Sequence, residues 1–582
     1  MSGKNQCVRF SYKTTLFLIS LVYVIAAALI ATLTAKNNYN SEEVRNWVLV
    51  GGLQPNVATF RVRIDDANDG GRARRLVVST GPPGGESDTS GIVFDQVLVG
   101  NDLVETVTVS DLNSGMTFYY WTIDQNNVII WNGSFRTPEP EGSRFNFTLA
   151  TAGCAETGSK AEVFNHIADE DPLLFLHLGD MHYEDINAND VELRIGAFDK
   201  VMGSPTQAAL LSKTGLVSQW DDHDFLGNES RGYCPLESME CQGRKAALSS
   251  YQIALPHYSP LPGDATYQAF TIGTVRFIVS DLRSEQSEEA IYSEVQKAWL
   301  VDELSRADDF DFVIWVTPAP WIGQAKEDDN WFNFPNDRAE LSDYISQTLG
   351  GESGPQNLLA LSADAHMVAF DDGRNTYYGQ EQMPRSDARS FPMLMSGPLD
   401  RLGSAKGGPF SEGCHAIEYE RNHQYSTLDF VFAPHESNGD GKERACIEIR
   451  SFQIKGSSKH EIFSKRLCDK IFQGTEESGT GSCVTSSFST LTLAVITASG
   501  AVYIIFVIMS CRLIDKKFEA SKVSFMVFVS LVSQYGAGIF LKVLLHYYYL
   551  TEDEDVYKII EDYTDATVNY FWDGKTWNYR VD

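Results

Sequence analysis

The sequence predicts an α/β layered domain that follows a small β-sandwich and lies between hydrophobic segments near both ends of the chain. Short alternating segments with Gly- and Asp-rich turns fill residues 45–138, and strand-like segments alternate with helical ones in residues 144–470. Three further segments are long enough to span a bilayer. A chain of 582 residues with 43% hydrophobic content can bury a large core and is expected to hold more than one domain.

The overall charge limits the partners of the protein. The formal net charge is −31, and no basic patch interrupts it, so the sequence predicts no nucleic-acid partner. If the substrate is an anion, metal ions must supply the attraction.

The N-terminal hydrophobic segment predicts either a signal peptide or a signal anchor within residues 1–36. Residues 14–35 carry no charge and follow a basic start. Neither Ala31 nor Ala35 completes a good cleavage site, so retention as an anchor is favoured over removal. The alternative for this and the later hydrophobic segments is a buried core helix.

The C-terminal region predicts two transmembrane helices within residues 488–550, followed by an acidic tail at 551–582. The loop 512–522 between the helices is basic and is therefore expected to stay in the cytoplasm. The sequence thus predicts a multi-pass membrane protein that contacts the lipid bilayer. Its catalytic domain is then extracellular or lumenal.

Glycosylation sequons and cysteines agree with that topology. Residues 36–485 contain seven cysteines, an odd number that leaves at least one unpaired in a monomer. The same region holds three N-x-[ST] sequons, at Asn132, Asn146 and Asn228. The protein is therefore predicted to be a glycoprotein.

Residues 45–138 predict the strands of the small β-sandwich. Four segments carry alternating, β-branched or aromatic side chains: ATFRVRI, RRLVVST, VETVTVS and MTFYYWTI. The segment 111–142 also resembles the closing strands of a fibronectin-type module, and Pro138 to Gly142 predicts a linker. No cluster of catalytic side chains lies here, which predicts a structural role.

The α/β domain is predicted from five apolar strand-like segments and the helical segments between them. Most of the five strands end at a group that can bind metal or phosphate: Cys154, Asp180, Asp281 or Asp364. Such groups converge at the carboxyl ends of the strands, where the active crevice of an α/β sheet lies. The strand-like segments are FNFTLATAG, PLLFLHLGD, RFIVSD, FVIWVT and LLALSAD.

Hard oxygen and imidazole ligands follow one another in three motifs: GDMHYED, then DDHD at 221–224 with Asn228, then LSADAHM. These ligands suit a site with two or three metal ions, in which a shared carboxylate holds the cations a few ångströms apart. Such a site activates water and stabilises the attacking and leaving oxygens in phosphoryl hydrolysis. The candidate ligands in these motifs are Asp180, Tyr183, Asp222, Asn228, Asp364 and His366.

Five motifs, in this order, resemble those of the PhoD-like alkaline phosphatases and phosphodiesterases: TAGCAETGS, GDMHYED, WDDHDFLGN, SDLRS and LSADAH. The resemblance covers residues 45–400, including the N-terminal sandwich module. It implies a metallophosphatase fold and hydrolysis of a phosphate mono- or diester, with iron and calcium ions as cofactors. Two departures are Ala363, where that family usually has Gly, and the lack of an expected Glu before FPMLMSGPLDR.

The resemblance also implies residue roles. Cys154 and Tyr183 are then iron ligands, and Asp180 is the bridging carboxylate. Asp222 occupies the place of a metal-binding Asn, and Asn228 is an amide ligand for calcium that we expect to be unglycosylated.

Two side chains are predicted to be catalytic. His223 could contact or protonate the leaving oxygen. Arg283 in SDLRS could hold the substrate phosphate through its planar guanidinium. His177 is predicted to be a core histidine, and His182 could lie near the site.

Two alternatives are a protein without catalytic activity and a different kind of metallophosphoesterase. A membrane receptor or adhesion protein with a catalytically retired metallophosphatase domain would have lost ligands, which this sequence retains. A purple acid phosphatase would carry paired histidines in a GH-x-H motif, where this chain has LSADAH.

Overall fold

The computed structural model describes residues 45–485, with gaps at 65–74, 85–90, 100–102, 233–241, 259, 324–329, 349–356, 380–389, 405, 418–419, 435–442 and 469–483. All three predicted membrane spans lie outside the described residues. Within the described part of the chain, no helix is both long enough and apolar enough to cross a bilayer.

The strands, numbered in chain order, are β1 (Trp47–Gln54), β2 (Val57–Arg63), β3 (Arg75–Ser79), β4 (Ile92–Val97), β5 (Val104–Val109), β6 (Thr117–Ile123), β7 (Ile129–Arg136), β8 (Phe147–Ala152), β9 (Leu174–His177), β10 (Gly215–Ser218), β11 (Gln268–Ile272), β12 (Val275–Val279), β13 (Phe312–Val316), β14 (Leu358–Ser362), β15 (Val368–Asp371), β16 (Met393–Met395), β17 (Arg401–Leu402), β18 (Cys414–Ala416), β19 (Arg421–Asn422), β20 (Gln424–Pro434), β21 (Glu443–Lys455), β22 (Ser458–Cys468) and β23 (Val484–Thr485). The helices are α1 (Val163–Asp169), α2 (Val191–Gly203), α3 (Pro205–Leu211), α4 (Asp222–Phe225), α5 (Arg244–Ala254), α6 (Glu294–Ser305) and α7 (Pro335–Thr348).

Two large sheets form the centre of the fold. Among the described residues, one sheet has nine strands in the order β22-β21-β20-β8-β9-β10-β1-β2-β5. The other has eight strands in the order β11-β12-β13-β14-β16-β15-β18-β23. Within them, β8, β9 and β10 are parallel, as are β12, β13 and β14. In each sheet, therefore, the carboxyl ends of three neighbouring strands lie at the same edge.

Successive side chains of a strand point to opposite faces of its sheet, and each face packs against a different layer. Leu174 and Leu176 of β9 pack with Leu359 of β14 in the core between the sheets. Phe175, which points to the opposite face, packs instead with the side chains of α1 and α2. A third core lies between the second sheet and helices α6 and α7. The predicted layered α/β architecture is thus a pair of sheets with helices on both outer faces.

The predicted sandwich strands are present, but within the described residues they do not form a separate pair of sheets. Strands β3, β4, β6 and β7 form their own sheet of four strands. Strands β1, β2 and β5 instead extend the nine-stranded sheet, because β1 pairs in parallel with β10 through Gly51 and Leu216. Local periodicity predicts where strands lie but not which strands pair. The sequence therefore predicted these strands and not the pairing of β1 with β10 across the predicted linker. The predicted bounds of the domains stay a prediction.

Candidate metal centre

The predicted ligands lie at the carboxyl ends of strands in both large sheets. Cys154 follows β8, Asp180 follows β9, Asp222 follows β10 and Asp364 follows β14. All four are buried, with exposures between 1% and 8%. The two sheets thus bring together residues that are 210 positions apart, because parallel strands end at the same edge.

The backbone at three of the predicted ligands has the left-handed conformation that non-glycine residues rarely adopt. The φ angles are 61° at Cys154, 57° at Asp180 and 52° at His366. Each such residue costs about 1–3 kcal/mol and persists only where its surroundings fix it. Here the Cys154 N–H donates to the Gly179 carbonyl at 3.0 Å, which ties the turn after β8 to the turn after β9.

Close approach of the backbone explains two glycines. A Cβ at Gly153 would lie 2.7 Å from the Cβ of Ala363, and a Cβ at Gly179 would lie 2.6 Å from that of Asp221. The methyl group of Ala363, one of the departures from the PhoD-like pattern, therefore fits because Gly153 has no side chain. Gly179 allows the turn that ends in Asp180 to lie against the DDHD segment.

Three groups of side chains have the spacing of metal ligands. In each group, one ligand atom per residue lies within 4.8 Å of the others. Asp180 belongs to two groups and Asp222 belongs to two, so the groups overlap in a continuous series. The groups are Cys154–Asp180–His366, Asp180–Asp222–His223 and Asp221–Asp222–Asp364.

Tyr183 and His366 complete the first group. The Tyr183 hydroxyl donates to Asp180 Oδ2 at 2.6 Å and lies 3.2 Å from His366 Nε2. His366 Nδ1 donates to the Leu402 carbonyl at 2.9 Å, so the proton is on Nδ1 and the lone pair is on Nε2. Burial, followed by the charge of Lys406, lowers the pKa of His366 to about 4. A neutral imidazole fixed in this way is the form that binds a metal.

His223 is held by a carboxylate outside the ligand groups. Its Nδ1 lies 2.5 Å from Asp185 Oδ1, which leaves Nε2 open to a substrate or a cation. Burial alone would lower the pKa of His223, but the hydrogen bond to Asp185 and the charge of Asp222 raise it above its ordinary value. His223 is therefore the histidine of the centre that is favoured to carry a proton.

Arg283 lies behind the ligands. Its side chain is 1% exposed, and Nε donates to Asp221 Oδ1 at 2.5 Å. Its backbone N–H donates at 3.0 Å to Asp281, which is fully buried and accepts from Trp220 and Thr266 as well. Asp281 is thus a structural carboxylate that supports Arg283. The role in phosphate binding predicted for Arg283 stays a prediction.

Asp224, which the sequence did not single out, connects two of the ligand segments. Its Oδ2 accepts from the backbone N–H of Asp180 at 2.7 Å and of Asp221 at 3.2 Å. Its Oδ1 accepts from Met181 at 2.8 Å and His182 at 3.3 Å. Burial raises the pKa of Asp224 to about 6, although these four N–H groups oppose the rise. Asp224 therefore positions ligands and has no oxygen left for a cation.

Asp221 is the other residue that sequence reasoning missed. It stands before α4 and belongs to the third ligand group with Asp222 and Asp364. Its Oδ2 is buried and has no hydrogen-bond partner among the described residues. An unpartnered buried carboxylate oxygen is costly, and a cation would remove that cost.

The remaining predicted residues lie at the margin or in the core. Asn228 is exposed, unlike the buried ligands, and its role as a ligand stays a prediction. His177 is buried as expected, but both ring nitrogens lack a hydrogen-bond partner within the described structure. His182 is also buried and packs edge-on against Phe198.

The charges of the centre fit a cation site. Burial is the main cause that raises the pKa of Cys154 and of Asp180 well above their ordinary values. Neighbouring carboxylates raise both further, Asp180 in the case of Cys154 and Asp222 in the case of Asp180. Without cations, therefore, these ligands resist ionisation together. Cys154 is also the free cysteine of the described chain, whereas Cys414, Cys446 and Cys468 are in disulfides.

Comparison with solved structures identifies the fold. The structure of PhoD superposes with a TM-score of 0.51 at 15% identity, over 77% of this chain and 95% of that chain. The chain has the PhoD-like metallophosphatase fold. A purple acid phosphatase from yellow lupin (Lupinus luteus) seeds gives a TM-score of 0.47 at 12% identity, over 76% of this chain and 78% of its own. No protein-family model matches the chain, and no curated protein is similar to it in sequence. The PhoD-like fold predicted from the motifs is thereby confirmed.

Proposed function

We propose that this protein is a metal-dependent phosphoric ester hydrolase that acts on phosphate mono- or diesters at the candidate metal centre. The overlap of the three ligand groups through Asp180 and Asp222 carries the proposal. A carboxylate shared between two groups is what a bridged pair of cations needs. The PhoD-like fold supports the same reaction class.

Iron and calcium are the cations we propose. The thiol of Cys154 and the phenol of Tyr183 suit iron, whereas the carboxylates of Asp222 and Asp364 and the amide of Asn228 suit calcium. Asp180 lies between the two kinds of ligand and is the proposed bridge. When bound, the cations activate a water molecule and stabilise charge on the phosphoryl oxygens.

His223 is the proposed general acid. Asp185 fixes the imidazole through Nδ1, so Nε2 can donate a proton to the oxygen of the leaving alcohol. The raised pKa that Asp185 and Asp222 produce favours the protonated form that this step requires.

Besides the phosphate-binding role, which stays a prediction, Arg283 is proposed to act through Asp221. The guanidinium lies 2.5 Å from Asp221 and compensates part of its charge in a site closed to solvent. It thereby directs the other carboxylate oxygen of Asp221, which has no hydrogen-bond partner in the described structure, toward the ligand group of Asp222 and Asp364.

The catalytic domain is proposed to lie outside the cytoplasm on a membrane-anchored chain. The hydrophobic segments and the basic loop 512–522 support this placement. The disulfide between Cys446 and Cys468 supports it too, since such bonds persist in oxidising compartments.

The test is hydrolysis by the purified full-length chain. We expect turnover of p-nitrophenyl phosphate or bis(p-nitrophenyl) phosphate that is lost on chelation, with iron and calcium present in metal analysis. Asp180→Asn should lower kcat/KM by at least about 100-fold, the scale of losing one electrostatic contact in a catalytic site. Asp302→Asn, on the exposed face of α6 with a side chain 74% exposed, is the matched control and should behave as the wild type.

Either of two results would end the proposal. One is the absence of turnover of both esters by protein that contains iron and calcium. The other is a wild-type rate in Asp180→Asn.

A further inference from the structure

Arg401 forms one wall of the candidate metal centre without belonging to its ligand groups. Its guanidinium carbon lies 3.6 Å from the centre of the Tyr183 ring, and the Tyr183 hydroxyl contacts Asp180. The next residue, Leu402, accepts the hydrogen bond that orients His366. A short strand pairing with β19 holds these two residues in place.

Among the described residues, the guanidinium of Arg401 is anchored at one nitrogen, Nη1. Nη1 donates to Glu156 Oε2 at 2.7 Å, and the side chain is 29% exposed. Within the described part of the chain, Nε and Nη2 have no hydrogen-bond partner. Arg283 differs, because it is 1% exposed and its Nε is engaged with Asp221.

The positive charge of Arg401 lies beside the ligand residues of the centre. Its guanidinium covers the ring of Tyr183, and the Tyr183 hydroxyl contacts both Asp180 and His366. A cationic side chain thus lies next to these ligands in a protein whose net charge is −31.

We infer that Arg401 binds the phosphoryl group of the substrate through Nε and Nη2, and that this contact favours phosphate monoesters over diesters. The inference rests on the proposed function and specifies its substrate class. A monoester dianion has three non-bridging oxygens, so one remains for Arg401 when the others face the ligand groups. In a diester, the third oxygen is esterified to a second alcohol, and the phosphate carries one negative charge fewer. A planar guanidinium with two donors on one edge suits the oxygen that only the monoester offers.

The experiment compares Arg401→Gln, Arg401→Lys and the wild-type full-length chain on p-nitrophenyl phosphate and bis(p-nitrophenyl) phosphate. In Arg401→Gln, kcat/KM for the monoester should fall by about 100-fold, as when one donor to a charged transition state is removed. For the diester the fall should be less than about 10-fold, because a smaller charge meets the lost donor. Arg401→Lys should recover part of the monoester activity, since it keeps the charge without the fork.

A second measurement does not depend on turnover. Inorganic phosphate titrated into the metal-loaded chain should bind more weakly to Arg401→Gln than to the wild type, by at least about 10-fold, for the loss of a charge-assisted contact. Metal content should be unchanged. The matched control is Arg450→Gln, because Arg450 likewise pairs with a carboxylate, Asp429 at 2.8 Å, and lies over an aromatic ring, Phe452 at 5.7 Å. That variant should behave as the wild type in both assays.

The inference is overturned if Arg401→Gln lowers both esters equally, if it leaves phosphate binding unchanged, or if it loses metal. Metal loss would mean that Arg401 supports Tyr183 instead of the substrate. All three results leave hydrolysis by the wild type intact, so they differ from failure of the proposed function. If the wild type hydrolyses neither ester, the phosphate titration still decides whether Arg401 binds the anion.

Discussion

Replacing Asp224 by Asn tests whether this carboxylate positions the metal ligands. The carboxylate accepts one short and one long backbone hydrogen bond at each oxygen: 2.7 and 3.2 Å at Oδ2, and 2.8 and 3.3 Å at Oδ1. An Asn side chain keeps one acceptor, so either orientation loses one short and one long bond. A hydrogen bond to a charged group contributes about 1.5–3 kcal/mol and a weak one about 1 kcal/mol, which gives a loss of about 3 kcal/mol in unfolding free energy.

The same change should weaken metal binding. The backbone N–H of Asp180, the proposed bridge, is one of the four donors, and Asp180 has the unfavourable φ of 57° that Asp224 helps to maintain. Loss of such a supporting contact costs about 10- to 100-fold in metal affinity. The assays are urea unfolding at pH 7, metal content after dialysis and hydrolysis of a model ester. Activity at low metal concentration should fall and should partly return when metal is added.

Asp371→Asn is the control, because Asp371 is a buried carboxylate that likewise accepts backbone hydrogen bonds, from Gly373, Asn375 and Ser411. It should lose a similar amount of stability and keep its metals. If Asp224→Asn is destabilised while its metal affinity matches that of Asp371→Asn, the positioning role is wrong.

Three further predictions concern the iron, a buried histidine and the topology. Cys154→Ser should lose iron together with visible absorption from the thiolate and Tyr183; iron retained at the wild-type level would contradict the assignment. Burial lowers the pKa of His177 to about 3, below the ordinary 6.5, so the unfolded state binds more protons between these values and stability falls as the pH falls from 6.5 toward 3. In His177→Leu the unfolding free energy should fall less steeply between pH 6.5 and 5, by about 1.4 kcal/mol per pH unit, because the titrating group is gone. Parallel profiles for the variant and the wild type would contradict this role of His177. An epitope in the loop 512–522 should resist external protease while one at residue 440 is cut, and protection of both would contradict the proposed orientation.

Much of the fold could be predicted because its signals are local. Strands β8, β9, β12, β13 and β14 are short apolar segments, and each was predicted within three residues of its observed bounds. The positions of Cys154, Asp180 and Asp364 at strand ends follow from the same pattern, since parallel strands end at one edge. The pairing of β1 with β10 was not predictable, because it joins segments that are 165 residues apart at Gly51 and Leu216.

The residues that sequence reasoning missed depend on side-chain direction. DDHD offers three carboxylates in four positions, and the pattern alone cannot divide them between ligands and supports. In the structure the backbone is extended at Asp221 and helical from Asp222 onward, so Asp221 and Asp222 reach the cation site while Asp224 turns back to the backbone. Arg401 lies in a strand of two residues, which leaves no periodic signal.

The charge of the protein imposes an order on binding at this centre. Asp180, Asp221, Asp222 and Asp364 converge with Cys154 in a buried space. Unless cations were bound first, these carboxylates and the net charge of −31 would both repel a phosphate ester. The donors of Arg401 can orient the phosphoryl group only after that repulsion is removed. Chelation should therefore abolish the binding of inorganic phosphate as well as turnover, whereas the loss of Arg401 should weaken phosphate binding with the cations still in place.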